Sequence, residues 1–316
     1  MSATAALQTS QVNHACTISI EPDPQLPLMK VTDNRSCTIR IVHIAIACFR
    51  QLVELLSRIK TFVCFYSQRK VLFLSPTKTE SGWEYKNIPW EKDNESSALY
   101  VFAHGLRSSP YVWMDYIQEI RKQTHKVHIV APYILNGGNC TLVDAADPIV
   151  ALVKHYIAKF PDRPINFIGT SNGGRIISYL ETKLDPKEMG RSELSVASIA
   201  GVHFGTKLIN GLDRCHMVPL TCLRSQASRE LMWGSECATQ LLTDWQAKQK
   251  VWQESQVKVR HLFSITMEDE KILSRESSLP NLKSREVDYQ IIVAHNHQSV
   301  VSGVRPFVLD WLKTDL

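Results

Sequence analysis

No Cys-x-x-Cys pair occurs in this chain, and its eight cysteines are scattered, most of them beside apolar residues. That spacing argues against a zinc-ribbon arrangement and reads as reduced, partly buried thiols in a reducing compartment. Cys215 and Cys222 alone are spaced to close a small loop were the protein exported. Charge of one sign is also scarce: the net charge is +5 over 316 residues. No block is both strongly basic and rich in aromatics, so nucleic acid is not an expected partner. The first 30 residues lack a basic start followed by an apolar core, so we expect no secretory signal peptide and a cytoplasmic location. No internal repeat or low-complexity tract breaks the chain, which is long enough to bury one large core.

Long hydrophobic runs are absent too, with one instructive near miss. Ile41 to Phe49 is a nine-residue apolar run interrupted by His43, and Leu52, Val53, Leu55, Leu56, Ile59, Phe62 and Val63 continue it at helical spacing. Arg40, Arg50, Glu54, Arg58 and Lys60 fall within or beside it, which excludes a span of about 20 uninterrupted apolar residues. Residues 37–66 therefore read either as an amphipathic helix packed on a core or as a basic helix lying on a membrane surface, a peripheral contact. The polar stretch before it, residues 1–36, with Pro22, Pro24 and Pro27, reads as a flexible tail.

From about residue 70 apolar runs alternate with helical periodicity. We expect strands at 71–74, 98–103, 127–134, 165–168, 196–202, 257–265 and 287–293. Helices are expected at 110–123 and 142–160, after Gly173, and near 307–312. Strands separated by helices imply an α/β fold, a mostly parallel doubly wound sheet with helices on both faces. Active sites in such sheets form beyond the C-terminal strand ends.

One such end carries Gly169-Thr170-Ser171-Asn172-Gly173, directly after Ile165-Asn166-Phe167-Ile168. A serine between glycines, on a turn from strand to helix, has the makings of a nucleophile elbow. The plain alternative is a surface turn, since Ser-Asn-Gly is good turn chemistry. A nucleophile needs a base, an acid and an oxyanion site. Val101-Phe102-Ala103-His104-Gly105-Leu106 ends an upstream strand in His-Gly, where the N–H of Leu106, with that of Asn172, would face a developing oxyanion. His104 is expected to order this loop rather than act as base. The acid should follow a later strand, where Glu268-Asp269-Glu270 cluster; Asp269 is the candidate and Glu268 its competitor. The base should follow the last strand, where His297 competes with His295. The order Ser171, Asp269, His297 is the order this chemistry takes on an α/β sheet.

With these residues the chain resembles the α/β-hydrolase superfamily over residues 69–316, and more narrowly its esterase, lipase and GPI inositol-deacylase-like branch. The further matches are Ile168 to Gly174, Gly201-Val202-His203-Phe204-Gly205-Thr206, Arg229 to Ser235 and His297 to Val301. The resemblance implies a serine esterase using Ser171, Asp269 and His297, an oxyanion hole at Leu106 and Asn172, and no cofactor or metal. It departs from common members at Asn172, where Met, Gln, Leu or His is more frequent. In this fold residues 206–256 would be a helical cap or lid, or else a helical excursion packed on the core. Their apolar richness favours an apolar, lipid-like acyl ester as substrate. Thioester, amide or acyl-transfer chemistry on the same triad, or a binding protein that kept the fold, are the alternatives.

Overall fold

A computed structural model of the chain describes residues 16–18, 35–65, 74–80, 82–86, 88–91, 98–124, 126–214, 226–284 and 286–313. Strands β1 (Cys16–Ile18), β2 (Pro76–Thr79) and β3 (Gly82–Tyr85) precede the main body. The principal strands are β4 (Ala98–Ala103), β5 (Val127–Val130), β6 (Ile165–Thr170), β7 (Glu193–Ile199), β8 (Lys258–Thr266) and β9 (Glu286–Ile292). The principal helices are α1 (Cys37–Phe65), α2 (Met114–Gln123), α3 (Leu142–Lys159), α4 (Asn172–Lys183), α5 (Glu236–Glu254) and α6 (Val300–Lys313).

The main sheet runs β1-β9-β8-β7-β6-β4-β5. From β9 to β5 all pairs are parallel, and β1 joins β9 antiparallel. Strands β4, β6, β7 and β8 are buried along nearly their whole length because both faces are covered. In β4 all six residues are buried. Leu99, Val101 and Ala103 pack with α3 and α4, while Ala98, Tyr100 and Phe102 pack with α2 and α6. The period-2 alternation of a strand thus feeds two separate cores, one per layer of helices.

Strand order decides where a site can form. β5 lies on one side of β4 and β6 on the other, so the connections leaving β4 and β6 diverge at their C-terminal ends. That divergence opens a crevice. Ser171 follows β6 and Leu106 follows β4, so both stand at its rim.

Most expected elements appear with shifted ends. The helix expected at 110–123 begins as a 3-10 turn, Pro110–Trp113, because Pro110 occupies its first position without needing an N–H donor. The strand expected at 127–134 stops at Val130, just ahead of Pro132. The strand expected at 196–202 is instead 193–199, ended by Ala200 at φ 47°. The sequence pattern does not announce the β2–β3 hairpin, half of whose strand residues are exposed while Tyr85 alone is buried. The strand expected at 71–74 lies outside the described residues except for Leu74, as does most of the expected tail at 1–36.

The described parts of residues 206–256 form a helical insertion between β7 and β8. Its long helix α5 packs on the flank of α4, where Trp245 Nε1 donates to Glu181 at 2.6 Å and Gln249 Nε2 donates to the same carboxylate at 2.6 Å. His261 of β8 completes this buried cluster, its Nε2 2.9 Å from Glu181. This half of the insertion is a helical excursion on the core, and residues 215–225 lie outside the described residues.

Candidate active site

Ser171 connects β6 to α4 at φ 55°, ψ −123°. A side chain rarely tolerates that backbone, and the strain holds its hydroxyl out of the turn. The neighbouring glycines make the turn possible by steric necessity. A Cβ on Gly173 would stand 2.0 Å from the carbonyl oxygen of Ala103, and one on Gly169 would stand 2.4 Å from that of Gly173. Gly105 is just as confined, since a Cβ there would approach Ser171 Cβ to 2.9 Å. The loop after β4 and the elbow after β6 are therefore packed backbone against backbone.

The upstream loop is held by His104, which is 1% exposed. Its Nδ1 donates to Gly105 O at 2.9 Å and its Nε2 accepts from Ile134 N–H at 3.3 Å. A carbonyl can only accept and an amide can only donate, so the pair of bonds requires the neutral Nδ1–H tautomer. Burial pushes its pKa down to about 4, against the raising effect of the Gly105 bond. His104 thus orders the loop and stays neutral near neutral pH.

The two open choices separate clearly in space. Asp269 Oδ2 lies 2.8 Å from His297 Nδ1. Its Oδ1 accepts the N–H groups of Lys271 at 2.9 Å and Ile272 at 2.7 Å. The carboxylate is thereby fixed at both oxygens, and His297 Nδ1 must be the donor. Glu270 holds the other end of the residue, accepting the His297 backbone N–H at 3.0 Å. Burial opposes a proton on His297, but the charge and hydrogen bond of Asp269, with the charge of Glu270, outweigh it and raise its pKa. His297 Nε2 has no partner among the described residues.

Glu268 and His295 face elsewhere. Glu268, 3% exposed, binds Arg35 with one oxygen, and with the other accepts from Ala294 N at 2.8 Å and Thr266 Oγ1 at 3.2 Å. It ties the ends of β8 and β9 to the start of α1. His295 Nδ1 donates to Ser299 O at 3.0 Å, and its Nε2 accepts from Arg50. Burial, with the Arg50 charge beside it, lowers its pKa to about 4.

Ser171 and His297 line one cleft of about 410 Å³ with Leu106, Ser108, Val112 and Val301. No described residue of 206–256 lines it. The N–H of Leu106 has no hydrogen-bond partner among the described residues, and the N–H of Asn172 is in the first turn of α4, where no preceding turn supplies an acceptor. Both are free donors at the elbow. The Asn172 side chain is buried, and its Oδ1 has no partner among the described residues. The arrangement offers a hydroxyl, an imidazole held by a carboxylate and the Leu106 backbone around one cavity, with the Asn172 N–H next to Ser171 in the chain.

Sequence reasoning missed the polar contacts of α1 with this site. Gln51 bonds to Gln298, and its Oε1 accepts from Asn296 Nδ2 at 2.6 Å. Gln298 and Asn296 flank His297 in the chain. No local signal announces such contacts, because the partners are about 245 residues apart.

No family model matches the chain, and no curated protein matches it in sequence. Among solved structures it is similar to the lipase BlEst2 of Bacillus licheniformis, at 13% identity, TM-score 0.48, covering 70% of this chain and 93% of that one. It is similar to the peroxisomal α/β-hydrolase Lpx1 of Saccharomyces cerevisiae, at 14% identity, TM-score 0.44, covering 72% and 81%. It is also similar to the phospholipase PlaB of Legionella pneumophila, at 15% identity and TM-score 0.38, over 57% of this chain; the match spans only 40% of PlaB. The parallel sheet β5-β4-β6-β7-β8-β9, flanked by helices on both faces and turning sharply at Ser171, gives this chain the α/β-hydrolase fold.

Proposed function

We propose that this protein is a serine hydrolase of carboxylic esters, acting on apolar, lipid-like acyl groups through Ser171, His297 and Asp269. The observation that carries the reading is the 2.8 Å Asp269–His297 contact opening on the same cleft as the strained Ser171. His297 Nε2 takes the Ser171 proton as Oγ attacks the acyl carbon. Asp269 keeps the proton-bearing Nδ1 turned away from the serine and stabilises the imidazolium. The oxyanion is held by the N–H groups of Leu106 and Asn172, each worth about 3 kcal/mol near the transition state. The C–O bond to the leaving alcohol breaks as His297 returns its proton to that oxygen. Water then enters, gives a proton to the same Nε2, and opens the acyl-enzyme.

An apolar acyl group would lie against Leu106, Val112 and Val301, on one side of a cleft that Arg107, Ser108, Ser109 and Gln298 line with polar groups. The finer likeness to the GPI inositol-deacylase-like branch rests on residues 101–106, 168–174 and 201–206. The test is labelling by a fluorophosphonate probe with mapping of the modified residue, followed by an ester panel. Labelling at Ser171, and a loss of about 10⁴-fold or more in p-nitrophenyl ester hydrolysis for Ser171→Ala, are expected. Labelling elsewhere, or full activity in the variant, overturns the reading.

A further inference from the structure

Helix α1 is docked the wrong way round for a helix facing water. Between Ile39 and Val53 its polar side chains are Arg40, His43, Arg50 and Gln51 alone, and every one is bonded to the protein. Arg40 Nε donates to Arg35 O at 3.1 Å, and His43 lies against Arg35 and 3.5 Å from Glu268. Arg50 donates to Ala294 O at 3.2 Å and binds His295, while Gln51 binds Asn296 and Gln298. At 100° per residue these four fall on one arc, with the buried Ala47 among them.

The remaining arc is hydrocarbon and open. Val42, Ile46, Phe49 and Val53 repeat at i, i+4, i+7 and i+11, and they are 51%, 38%, 67% and 50% exposed. Of the eleven large apolar residues exposed among the described residues, eight lie on this helix, so they form one patch rather than a scatter. A water-facing helix places its polar side outward, and a contiguous apolar patch of this kind marks an interaction surface.

Its surroundings choose the occupant. Residues 35–60 carry five cations against one anion, Glu54; Arg35 is taken up by Glu268, but the exposed Arg50 stands at the edge of the docked arc beside Ile39 and Ile46, so the helix keeps a net positive charge next to its apolar arc. Pairing with a second copy would set two such like-charged helices side by side, whereas an anionic surface complements them. No helix among the described residues is long and apolar enough to cross a membrane, so the geometry is that of a helix lying in an interface. We propose that α1 docks this protein on an anionic lipid bilayer through its apolar arc. Its polar arc grips Glu268 beside Asp269, and Asn296 and Gln298 beside His297, so the bilayer would border the Ser171 cleft.

Docking of this kind does not depend on the serine. The full chain, with Ser171→Ala run in parallel, is mixed with vesicles of phosphatidylcholine alone or with added phosphatidylglycerol and sedimented. Wild type and Ser171→Ala should both sediment with the anionic vesicles and less with the neutral ones. The double variant Ile46→Glu/Phe49→Glu should lose about tenfold or more in partitioning, with unchanged circular dichroism, while Val251→Glu on α5 should bind as wild type. Equal binding by the double variant overturns the proposal. So does a wild-type dimer in sedimentation equilibrium that the double variant makes monomeric, since a second copy then occupies the face. Loss of ester hydrolysis with vesicle binding retained would sink only the catalytic reading.

Discussion

His297 Nδ1 and Asp269 Oδ2 stand 2.8 Å apart, joining the loop after β9 to the loop after β8. The carboxylate raises the imidazole pKa against the effect of burial. The acid limb of kcat/KM for ester hydrolysis should therefore lie above the ordinary histidine value of about 6.5. Asp269→Asn removes the charge but leaves burial, so the limb should move to lower pH while kcat falls by about 10⁴-fold. Glu268→Gln should leave the limb where it is. A pH–rate profile of the three proteins decides this; an unmoved limb in Asp269→Asn would count against the pair.

Acid should unfold this protein early, for a reason separate from catalysis. Burial lowers the pKa of His104 to about 4, of His203 to about 3 and of His295 to about 4. The unfolded chain binds protons at these sites from about pH 6.5 downward, and the folded chain does not. Stability is thus complete above pH 6.5 and falls as pH drops toward 4. For the buried His104 the loss is about 3 kcal/mol across that window. His297, with its pKa raised, has the opposite sign: its contribution is present below 6.5 and lost as pH rises through the folded value. The three lowered sites outnumber it. Urea midpoints at pH 7.5 and pH 5 should differ strongly, and His104→Gln should reduce the difference. Equal midpoints would refute the assignment.

The elbow glycines set up a contrast that measures backbone crowding alone. Gly173→Ala drives a methyl to 2.0 Å from the Ala103 carbonyl, so the junction of β4 with the elbow must open. A loss above about 4 kcal/mol, or insoluble protein, is expected. Gly211, in the helix Lys207–Arg214, has nothing within 4 Å of its built Cβ. Gly211→Ala should leave the fold unchanged or stabilise it by about 0.5–1 kcal/mol. Thermal melts of both variants against wild type make the comparison.

How far the sequence was readable follows the range of the interactions involved. Runs such as Ala98 to Ala103 and Ile165 to Ile168 are apolar because both sheet faces are covered, so local pattern sufficed for them. The glycine–serine turn is equally local. The choice between Asp269 and Glu268 is not, since adjacent residues on a turn point to different sides, and only the fold shows which side holds His297. Helix α1 misled in a subtler way. Its periodicity reveals two arcs, but only the partners Glu268, Ala294 and Asn296, more than 220 residues distant, show that the polar arc is the docked one. The hairpin β2–β3 carried too little apolar pattern to be seen at all.

Glu181 is the clearest case of a residue invisible to pattern. It is wholly buried and accepts from Trp245 Nε1 and Gln249 Nε2, with His261 Nε2 at 2.9 Å. Glu181→Ala would strand those groups without partners in the core. A loss of about 3–5 kcal/mol is expected from urea denaturation, with ester hydrolysis by the remaining folded protein unchanged because the residue does not reach the cleft. A loss below about 1 kcal/mol would mean that the cluster does not secure α5 to α4.

Asn172 tests whether the oxyanion site is backbone alone. Its N–H is proposed as a donor, and an N–H is indifferent to the side chain it accompanies. The side chain itself is buried with Oδ1 unpartnered among the described residues, a state that costs about 1–3 kcal/mol when no water or donor relieves it. Asn172→Leu removes that oxygen and keeps the donor. Activity should stay within about threefold of wild type, and the melting midpoint should hold or rise, because an apolar side chain in this buried position has no polar atom to satisfy. Steady-state kinetics on a short p-nitrophenyl ester, with a thermal melt of the same sample, checks both halves. A fall in kcat of about 10²-fold or more without a loss of stability would instead mean that the Asn172 amide acts on the reacting oxygen, and that the pair of backbone donors at Leu106 and Asn172 is incomplete without it.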